Sequence, residues 1–564
     1  MRNAVTKLTG VGGEFEIGDC SWHCGNQLVS GLGFLKGPLN MREYIESGFQ
    51  EYSQNEFIVY EEERYTFEEI RAKVISLASV LKNEFKIFKG SRVALCMRNY
   101  PEFCVVFLCT LYIGAVVVPL NGWWTEEELI YGLADSGASL FICDQQRYMR
   151  VESSRLSIPV IVVRGSHELP VDVLRYEHMV NTDESHDIES IVPDDVGCIM
   201  YTSGTTSKPK GVVLTHRGMT SQMCIQMLAM KVAHLLGVPN EKQCMICPVP
   251  LFHVTASHHV LLSSLAVGRK IVLLYKWDAG IALELIQKER PNKWTGVPTM
   301  VQDLLNHVNF IKTDTSSLKF VGGGGAPTPK SQLVHVQSKF KNCVPHQGYG
   351  LTETNGAISS ISGDEYHARP LSCGRPMPVV QAVIVDENSL TEVPFGFNGE
   401  ILIKSPLVMR EYWNRPDETA KTILTIPGKG HGWFRTGDIG HLDKDGFIYI
   451  TDRSKDIIIR GGENISSAEV EHAVYENPNV LECAVFGIKD IRMGEEVGLA
   501  VVLKDGTTLT EAQIVNEVSR RLARFMLPKR SNIFLLKKQL PRGSTGKILK
   551  RALRDAFGNK SSKL

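Results

Sequence analysis

Two lysines, Lys208 and Lys210, lie in a stretch that otherwise consists mainly of serine, threonine and glycine. The stretch is Tyr201-Thr-Ser-Gly-Thr-Thr-Ser-Lys-Pro-Lys-Gly211, and apolar runs at 197–200 and 212–214 bound it. Hydroxyls and backbone N–H groups donate to anions, Gly204 lets the backbone approach a ligand closely, and the lysines neutralise charge. The pattern predicts a polyphosphate-binding loop between two strands.

The spacing is not that of a Walker A loop. That pattern needs a second glycine five positions after the first, and counting from Gly204 reaches Pro209. A Gly-Lys pair elsewhere, Gly546-Lys547, is followed by Ile548 and also fails. A Ser/Thr-rich linker is the plain alternative, but linkers of this composition are seldom bounded so closely by apolar strands.

Composition limits the class of protein. A chain of 564 residues exceeds what one hydrophobic core usually organises, so two or more domains are expected. The 62 basic residues balance 62 acidic ones and form no basic stripe, which argues against nucleic acid as the main partner. The 13 cysteines are scattered, which favours a reducing compartment over secretion.

The spacing Cys244-x2-Cys247, with histidines downstream, makes a zinc site conceivable. The same segment is typical of a buried strand that runs into a turn, and no second cysteine pair follows, so the strand is the favoured interpretation. The apolar stretch Phe103–Leu120 similarly allows a membrane span. Gly114 and Pro119 interrupt it, and a buried helix followed by a buried strand explains it better, so no transmembrane segment is predicted.

From Phe57 onward, helical and strand patterns alternate. Thr66 and Glu69 form a capping box that opens a helix through Leu81. The further predicted elements are a strand at 93–97, a helix after Pro101, a strand at 115–120, a helix at 125–135, strands at 140–143, 160–163 and 271–274, a helix at 279–288 and a strand at 318–321 that ends in the glycine run 322–325. This alternation predicts an α/β fold, in which a large N-terminal domain has layered, mostly parallel sheets.

Beyond Phe397 the pattern changes to short strands, turns and charges, and a new unit follows. Its predicted elements are a helix at 467–475, strands at 481–487 and 498–503, and a helix at 510–524. The domain boundary is expected at about Arg453 to Lys455. The predicted domains are an N-terminal extension with little pattern (1–40), a large N-terminal domain (41–453) and a small, mobile C-terminal α+β domain (454–564).

The tripeptide Ser562-Lys563-Leu564 is a peroxisomal address when it stands at a free C-terminus. The polar residues before it would keep it accessible. The N-terminus lacks the basic and apolar regions of a signal peptide. We therefore expect a peroxisomal matrix protein that binds the peroxisomal import receptor through this tripeptide.

Four stretches together resemble the adenylate-forming enzymes, which include acyl- and aryl-CoA ligases, peptide-synthetase adenylation domains and beetle luciferases. They are the loop 201–211, Gln347-Gly-Tyr-Gly-Leu-Thr-Glu353, Gly432-Trp-Phe-Arg-Thr-Gly-Asp438 and Pro541 to Lys550. The resemblance extends over nearly the whole chain from about residue 40. Asn121-Gly-Trp-Trp124 and Gly461-Gly-Glu-Asn-Ile465 are most similar to ligases of fatty or related acyl acids.

The resemblance implies a two-step reaction with ATP, Mg²⁺ and coenzyme A. A carboxylic acid attacks the α-phosphate of ATP to give acyl-AMP and pyrophosphate, and the thiol of coenzyme A then displaces AMP. Both steps gather negative charge, so the site should present donors and cations to it. The N-terminal domain would therefore bind AMP, and the small C-terminal domain would carry a catalytic lysine.

The resemblance also implies individual roles. Lys547 would be the catalytic cation, Glu353 would ligate Mg²⁺ together with Thr206, and His253 would lie at the mouth of the acyl pocket, where a core histidine is the alternative. The residues implied for ATP and AMP are Thr202, Ser203, Gly204, Thr205, Thr206 and Lys210 at the β- and γ-phosphates, Gly324, Gly325 and Ala326 at the adenine, Gln347, Gly348 and Tyr349 along the nucleotide, Thr352 at the α-phosphate, Asp438 at the ribose hydroxyls, and Arg453 and Lys547 near the phosphate.

Lys455 matches the family's hinge, about which the small domain would turn between the two steps. Turning would replace Lys547 by the loop from Arg460 to Asn464, in which Gly461 and Gly462 would let the backbone approach coenzyme A. Luciferases and plant coumarate ligases have a second lysine four residues after the hinge. This chain has Ile459 there, which makes luciferase chemistry less favoured.

The acyl tunnel is expected among four segments, 254–260, 297–304, 321–325 and 350–357. Several alternatives stay open at this point: a luciferase-like monooxygenase, an aryl-CoA ligase of the same fold, a binding protein with a decayed site, and a carrier-protein-loading ligase. The acid could be fatty, aromatic, or a polyketide or toxin precursor of fungal secondary metabolism.

Overall fold

The computed structural model describes residues 2–154, 156–165, 169–170, 173–179, 189–202, 208–238, 241–326, 328, 330–340, 343–461 and 463–558. The α-helices are α1 (Arg2–Thr9), α2 (Met41–Glu51), α3 (Phe67–Asn83), α4 (Pro101–Tyr112), α5 (Glu126–Ser136), α6 (Gln145–Val151), α7 (His216–Leu235), α8 (Ser263–Leu265), α9 (Ala279–Glu289), α10 (Pro298–Asn306), α11 (Lys330–Lys339), α12 (Gly363–Ala368), α13 (Pro416–Thr422), α14 (Ser467–Tyr475), α15 (Glu511–Val518) and α16 (Lys550–Phe557). A π-helix spans Thr255–Leu262, and 3₁₀ turns span Glu152–Ser154, Tyr176–His178, Phe310–Lys312, Thr352–Thr354, Arg524–Met526 and Arg530–Asn532.

The strands are β1 (Ile17–Cys24), β2 (Gln27–Phe34), β3 (Glu56–Tyr60), β4 (Glu63–Thr66), β5 (Arg92–Cys96), β6 (Val116–Pro119), β7 (Leu140–Asp144), β8 (Val160–Val163), β9 (Leu174–Arg175), β10 (Val196–Thr202), β11 (Lys210–Thr215), β12 (Cys244–Cys247), β13 (Lys270–Leu273), β14 (Lys293–Gly296), β15 (Phe320–Gly324), β16 (Val344–Leu351), β17 (Gly356–Ser362), β18 (Ser372–Pro376), β19 (Gln381–Val385), β20 (Gly399–Lys404), β21 (Glu411–Tyr412), β22 (Ile423–Ile426), β23 (Gly430–Leu442), β24 (Ile448–Arg453), β25 (Ile458–Arg460), β26 (Glu463–Ile465), β27 (Val480–Asp490), β28 (Gly494–Leu503) and β29 (Ile533–Leu536).

Two large sheets make up the body of the chain. In the first, the strand order is β21-β11-β10-β6-β5-β7-β8-β9, and the strands from β10 to β9 pair in parallel. The second has the order β19-β20-β23-β24-β18-β17-β16-β15-β14-β12-β13-β3-β4, with β22 beside β23. It is parallel from β16 through β3 and antiparallel from β16 to β19. Helices cover these sheets, as the alternating pattern predicted.

The core helix α4 and the strand β6 account for the longest apolar stretch of the sequence. Ten of the twelve α4 residues and all four β6 residues are buried. The prediction of a buried helix followed by a buried strand is confirmed. Over the described residues, no helix combines the length and apolar character that crossing a bilayer requires.

A smaller sheet of five described strands follows the two large ones. Its order is β26-β25-β28-β27, with β29 beside β28, and α14 and α15 contribute to its core. The last strand of the second large sheet ends at Arg453 and the first strand of the small sheet begins at Ile458, so four residues connect the two. The predicted boundary at Arg453 to Lys455 falls at this connection.

Local sequence signals set several boundaries. Thr66 and Glu69 form the predicted reciprocal capping box at the start of α3, and the predicted strand 160–163 and helix 467–475 coincide with β8 and α14. Cys244 and Cys247 lie in the buried strand β12, as favoured. Since side chains alternate along a strand, these two cysteines point to opposite faces of the sheet.

The segment 1–40, predicted as an N-terminal extension with little pattern, contains α1 and the hairpin β1–β2, and Leu8 and Phe15 pack on α7. Two expectations were wrong. The helix predicted over 510–524 ends at Val518, and Ala523 has extended backbone (φ −62°, ψ 150°). The strand predicted at 318–321 is shifted and continues through Gly324. A β-carbon at Gly323 would lie 1.6 Å from the carbonyl oxygen of Gly296, so glycine is required where these strands meet.

Candidate active site

A cleft of about 2840 Å³ lies between the large domain and the small domain. It brings together residues that are far apart in the sequence. Those predicted from the sequence that line it are Thr202, Lys210, His253, Gly324, Gly325, Ala326, Gln347, Gly348, Tyr349, Thr352, Glu353, Asp438, Arg453, Lys455 and Lys547.

The predicted phosphate loop connects two antiparallel strands. Thr202 at the end of β10 pairs with Lys210 at the start of β11, and the expected apolar strands flank the loop. Lys210 forms an ion pair with Glu418 and lies over the Tyr412 ring, 5.2 Å from its centroid. Its charge is therefore partnered by groups of the protein itself. The predicted phosphate ligands Ser203, Gly204, Thr205 and Thr206 lie outside the described residues.

Asp438 and Arg453 face each other across the antiparallel strands β23 and β24. Arg453 Nε lies 3.1 Å from Asp438 Oδ1, and the Tyr349 hydroxyl donates to Oδ2 at 2.7 Å. Asp438 is 2% exposed, and burial raises the pKa of its carboxyl while Arg453 opposes that rise. Each carboxylate oxygen keeps a further acceptor direction, so the group can also accept hydrogen bonds from a sugar.

Lys547 enters the cleft from the small domain. A β-carbon built on Gly325 would lie 3.2 Å from Lys547 Nζ, so the ammonium lies against the glycine-rich end of β15. Burial, and secondarily the charge of Arg453, lowers the pKa of Lys547 to about 8. The structure thus brings the predicted catalytic cation next to the predicted adenine and ribose residues.

The segment around Lys547 is anchored to the large domain on both sides. Thr299 donates from Oγ1 to the carbonyl oxygen of Gly546 at 3.0 Å. Ser544 Oγ lies 3.1 Å from His253 Nε2. Arg542 bridges the domains, since it pairs with Asp303 of the large domain at 3.3 Å and with Glu482 of the small domain. These contacts hold the small domain in the arrangement that presents Lys547.

Gly546 is fitted to this docked position. Its φ of +81° lies in the left-handed region that favours glycine. A β-carbon there would also lie 3.3 Å from Val297 and 3.4 Å from Met300, closer than most carbon contacts. The glycine before Lys547 therefore supplies both the turn and the close approach of the domains.

Glu353 follows β16 in the 3₁₀ turn Thr352–Thr354, beside Thr352. The Tyr412 hydroxyl donates to its Oε1 at 2.9 Å. Oε2 has no hydrogen-bond partner among the described residues and the side chain lines the cleft. An available carboxylate oxygen is the ligand type that Mg²⁺ prefers, so the residue fits the predicted metal role. Thr206, the other predicted ligand, lies outside the described range.

His253 lies two residues before the π-helix Thr255–Leu262 and lines the cleft. Its backbone donates to Pro250, while its ring contacts the small-domain residue Ser544. Burial, with a contribution from Lys547, lowers the pKa of the imidazole to about 3, so the ring is neutral at physiological pH. The neutral ring matches a positioning and packing role better than a cationic one.

The predicted hinge residue lines the cleft, whereas the described residues predicted for the thiol step do not. Lys455 lines the cleft, and Arg554 donates to its carbonyl oxygen at 3.4 Å. Arg460 instead pairs with Glu496 (2.8 Å) and donates to Phe525 O (2.9 Å); within the described chain, neither it nor Gly461 lines the cleft. Gly462 and the address tripeptide Ser562, Lys563 and Leu564 lie outside the described residues.

Comparison with known sequences and structures gives this site a family. The chain matches the AMP-binding enzyme family over residues 45–413 and the AMP-binding enzyme C-terminal domain over residues 469–547. The chain belongs to the AMP-binding enzyme family.

Relatives of this AMP-binding enzyme include ligases for different acids. It is 34% identical to the long-chain-fatty-acid–CoA ligase FadD13 of Mycobacterium tuberculosis (strain ATCC 25618 / H37Rv), over 88% of this chain and 93% of that protein. It is 33% identical to a feruloyl-CoA synthase of Amycolatopsis sp, over 87% of this chain and 94% of that one. The predicted membership of the adenylate-forming, AMP-binding superfamily is thus confirmed, and its relatives include acyl-CoA ligases.

A solved relative supports the fold. The o-succinylbenzoate CoA synthetase MenE from Bacillus subtilis, in complex with its acyl-adenylate intermediate OSB-AMP, has a TM-score of 0.76 to this AMP-binding enzyme. The two are 28% identical, and the match covers 91% of this chain and 98% of MenE. The predicted fold class, a large α/β domain followed by a small C-terminal domain, is confirmed.

All four predicted tunnel segments contribute residues to the cleft of this AMP-binding enzyme, among them Val254, Pro298, Gly323 and Ala357. The sequence interpretation missed the docking residues Asp303 and Ser544. It also missed the basic residues Arg269 and Lys293, which line the cleft. One sequence feature could have indicated Lys293: it is a charged residue next to Trp294, in a segment that forms a buried strand.

Proposed function

We propose that the protein is an ATP-dependent acid–thiol ligase that converts a fatty or related acyl acid to its acyl-CoA, with release of AMP and pyrophosphate. The observation that carries the proposal is the position of Lys547 in a cleft with Asp438 and Arg453. The membership of the AMP-binding enzyme family and the ligase names of relatives support the same reaction.

In the first step, an oxygen of the substrate carboxylate forms a bond to the α-phosphorus of ATP, and the bond to pyrophosphate breaks. Charge on the α-phosphate and the carboxylate would be stabilised by Lys547, whose ammonium is already desolvated. Tyr349 and Arg453 hold Asp438 in place, so its carboxylate is preorganised for the ribose hydroxyls.

Glu353 would hold Mg²⁺, which when bound supplies positive charge to the pyrophosphate leaving group. Lys210 would exchange Glu418 for a nucleotide phosphate, because both are anionic partners within its reach. Such an exchange preserves the pairing of this partly buried cation at every stage.

In the second step, the thiol sulfur of coenzyme A forms a bond to the acyl carbon, and the bond to AMP breaks. The docked arrangement has Lys547 rather than Arg460 at the cleft. A turn of the small domain about the connection at Lys455 would exchange them, since a few residues at a junction can absorb such a rotation. The short length of this connection, between β24 and β25, supports the turn.

The test is an ATP–pyrophosphate exchange screen over aliphatic acids of increasing length and aryl acids, followed by coenzyme A-dependent release of AMP. We expect exchange with at least one acid and thioester formation after coenzyme A is added. If the purified protein with Mg²⁺, ATP and the full panel never releases pyrophosphate, the proposed function is wrong.

A peroxisomal matrix location is part of the proposal, based on the tripeptide Ser562-Lys563-Leu564. Deleting these three residues should leave the ligase activity intact and move a fluorescent fusion from peroxisomes to cytosol. A truncated protein that stays in peroxisomes would contradict both the location and the proposed use of the import receptor.

A further inference from the structure

The inner end of the cleft contains a group of basic side chains that the proposed chemistry does not use. We call it the inner basic cluster. Its members are His259, Arg269, Lys293 and His346, and all four line the same continuous cleft as Lys547.

Three structural elements and one loop bring the cluster together. Lys293 and Thr295 share a face of β14 because side chains alternate along a strand. Thr295 Oγ1 lies 3.4 Å from Nε2 of His346 on β16, so the histidine is on that face too. His259 projects from the π-helix, and Arg269, just before β13, donates from Nη1 to Ser263 Oγ at 3.0 Å.

Within the part of the chain that the structure describes, the cluster lacks acidic partners. Among the described residues, no aspartate or glutamate forms an ion pair with Arg269 or Lys293. Arg269 is 5% exposed, and its Nε has no hydrogen-bond partner within the described chain. Nδ1 of His259 and Nδ1 of His346 are likewise buried without a partner there. Buried cations in proteins are normally paired, so this arrangement requires an explanation.

The neighbouring Lys270 shows the ordinary arrangement. Its ammonium lies 2.9 Å from Glu289 and 3.2 Å from Glu56. Lys270 is next to Arg269 in the sequence, yet it points to a carboxylate pair while Arg269 points into the cleft. Of these two adjacent basic residues, only the one that lines the cavity has no acidic partner among the described residues.

The protonation equilibria agree with this geometry. Burial, together with the charge of Arg269, lowers the pKa of Lys293 to about 7, and burial lowers the pKa of Arg269 to about 10. An anion bound between them would favour both charged forms and reverse these shifts. The cluster is thus incomplete without an external negative group.

We infer that the acid substrate carries a second anionic group, at the end remote from the reacting carboxylate, and that Arg269 and Lys293 bind this group. The inference rests on the proposed function, because the reacting carboxylate must lie near Lys547. Val254, Ala357 and Met230 line the cleft as well and offer apolar surface to the carbon skeleton of an acid. A terminal carboxylate or a terminal phosphonate would satisfy the cluster equally, since both accept from arginine and lysine.

The experiment compares acids of equal chain length in ATP–pyrophosphate exchange. The panel contains simple monocarboxylic acids, α,ω-dicarboxylic acids and ω-phosphonocarboxylic acids. We expect kcat/KM to be about tenfold or more higher for the dianionic acids, because hydrogen bonds between charged groups contribute more than 1 kcal/mol. The dicarboxylic and phosphonic arms identify which anion the cluster prefers.

Two variants connect the preference to the cluster. Lys293→Met should lower the ratio of dianionic to monoanionic kcat/KM by about tenfold, and Lys293→Arg should retain most of it. Lys288→Met is the matched control, because it removes the same charge from an exposed helix position that pairs with Glu62. That control should leave the ratio unchanged.

A binding measurement keeps the test decisive if Lys293→Met folds poorly. Dicarboxylate without ATP should raise the Tm of the wild-type protein, whereas the chain-length-matched monocarboxylate should raise it less. Wild-type preference for monoanionic acids, or an equal ratio in wild type and Lys293→Met, would overturn the inference and leave the ligase proposal standing. Absence of exchange with every acid would instead overturn the proposed function itself.

Discussion

The two ends of the cleft differ in whether their charged side chains have partners within the protein. At the nucleotide end, charged groups already have protein partners: Lys210 pairs with Glu418, and Asp438 pairs with Arg453. At the inner end, Arg269 and Lys293 have no acidic partner among the described residues. Each end combines a buried group, Asp438 or Arg269, with a partly exposed lysine, Lys210 or Lys293, so burial alone does not explain the difference.

The difference indicates which kind of ligand each end of the cleft would bind. Partnered charges at the nucleotide end can exchange a protein partner for a substrate group, and they stay preorganised when the substrate is absent. The cations at the inner end have no acidic partner among the described residues, so a negatively charged ligand would supply one. The first arrangement suits a nucleotide that binds and leaves in every cycle, and the second suits selection of one class of acid.

The largest expected effect is at the nucleotide end. Lys547→Ala should lower the rate of adenylate formation by about 10²–10³-fold, because it removes a preorganised charge from the transition state. The variant should still convert a supplied acyl-adenylate to acyl-CoA. Measuring pyrophosphate exchange and thioester formation separately checks both statements.

Lys537→Ala is the control for this substitution, since that lysine is exposed on the same small domain. It should leave both partial reactions unchanged. Normal pyrophosphate exchange in Lys547→Ala would contradict the role given to this lysine.

Asp438→Asn tests whether the pairing with Arg453 prepares the ribose site. Loss of the carboxylate charge should raise the KM for ATP by about 10–100-fold, because charge-assisted hydrogen bonds contribute about 1.5–3 kcal/mol. Steady-state kinetics with varied ATP measures this. The control is Asp445→Asn, which removes an exposed carboxylate paired with Arg369; equal KM values in the two variants would argue against a ribose role.

The pH dependence of the first step should report Lys547. Burial lowers its pKa to about 8, so the ammonium is charged below that pH and loses its proton above it. With a simple monocarboxylic acid, kcat/KM for exchange should fall by up to about tenfold per pH unit above 8. In Lys547→Arg this alkaline fall should be absent, and an unchanged profile in that variant would assign the fall to another group.

The smallest effect is expected from Gly546→Ala, because this substitution alters the fit of the small domain against the large domain but removes no charge. Alanine at a φ of +81° costs about 1–2 kcal/mol, and its β-carbon meets Val297 at 3.3 Å. Adenylate formation should fall about fivefold or more, with conversion of supplied acyl-adenylate unaffected. Gly506→Ala, which has a similar φ of +76° but open space around it, is the matched control for strain alone.

Much of the nucleotide end could be predicted from the sequence, because its residues lie in short local motifs. The loop 201–211 and the glycine run before Pro327 each contain their predicted ligand-binding residue types within about ten consecutive residues. The sequence did not reveal that Asp438 and Arg453 face each other, since strand register depends on how β23 and β24 pair. It also did not reveal the inner basic cluster, whose members come from four separate segments between residues 259 and 346.

Helix boundaries also differ in whether the local sequence predicts them. Thr66 and Glu69 set the start of α3 by a local hydrogen-bonded box, so this boundary was predictable. The end of α15 was not, because Val518, Leu522 and Met526, all in the core of the small domain, keep the four-residue spacing of a continued helix although the backbone is extended at Ala523. Tertiary packing overrode a helical pattern there.

Because of Arg542, the arrangement of the two domains should depend on ionic strength. One guanidinium serves an acidic group on each side of the junction, so dissolved salt weakens the attachment of the small domain without any change of sequence. Crystals grown from concentrated salt and from polyethylene glycol should therefore sample different populations of the two arrangements, and a salt titration followed by small-angle scattering would trace the passage between them.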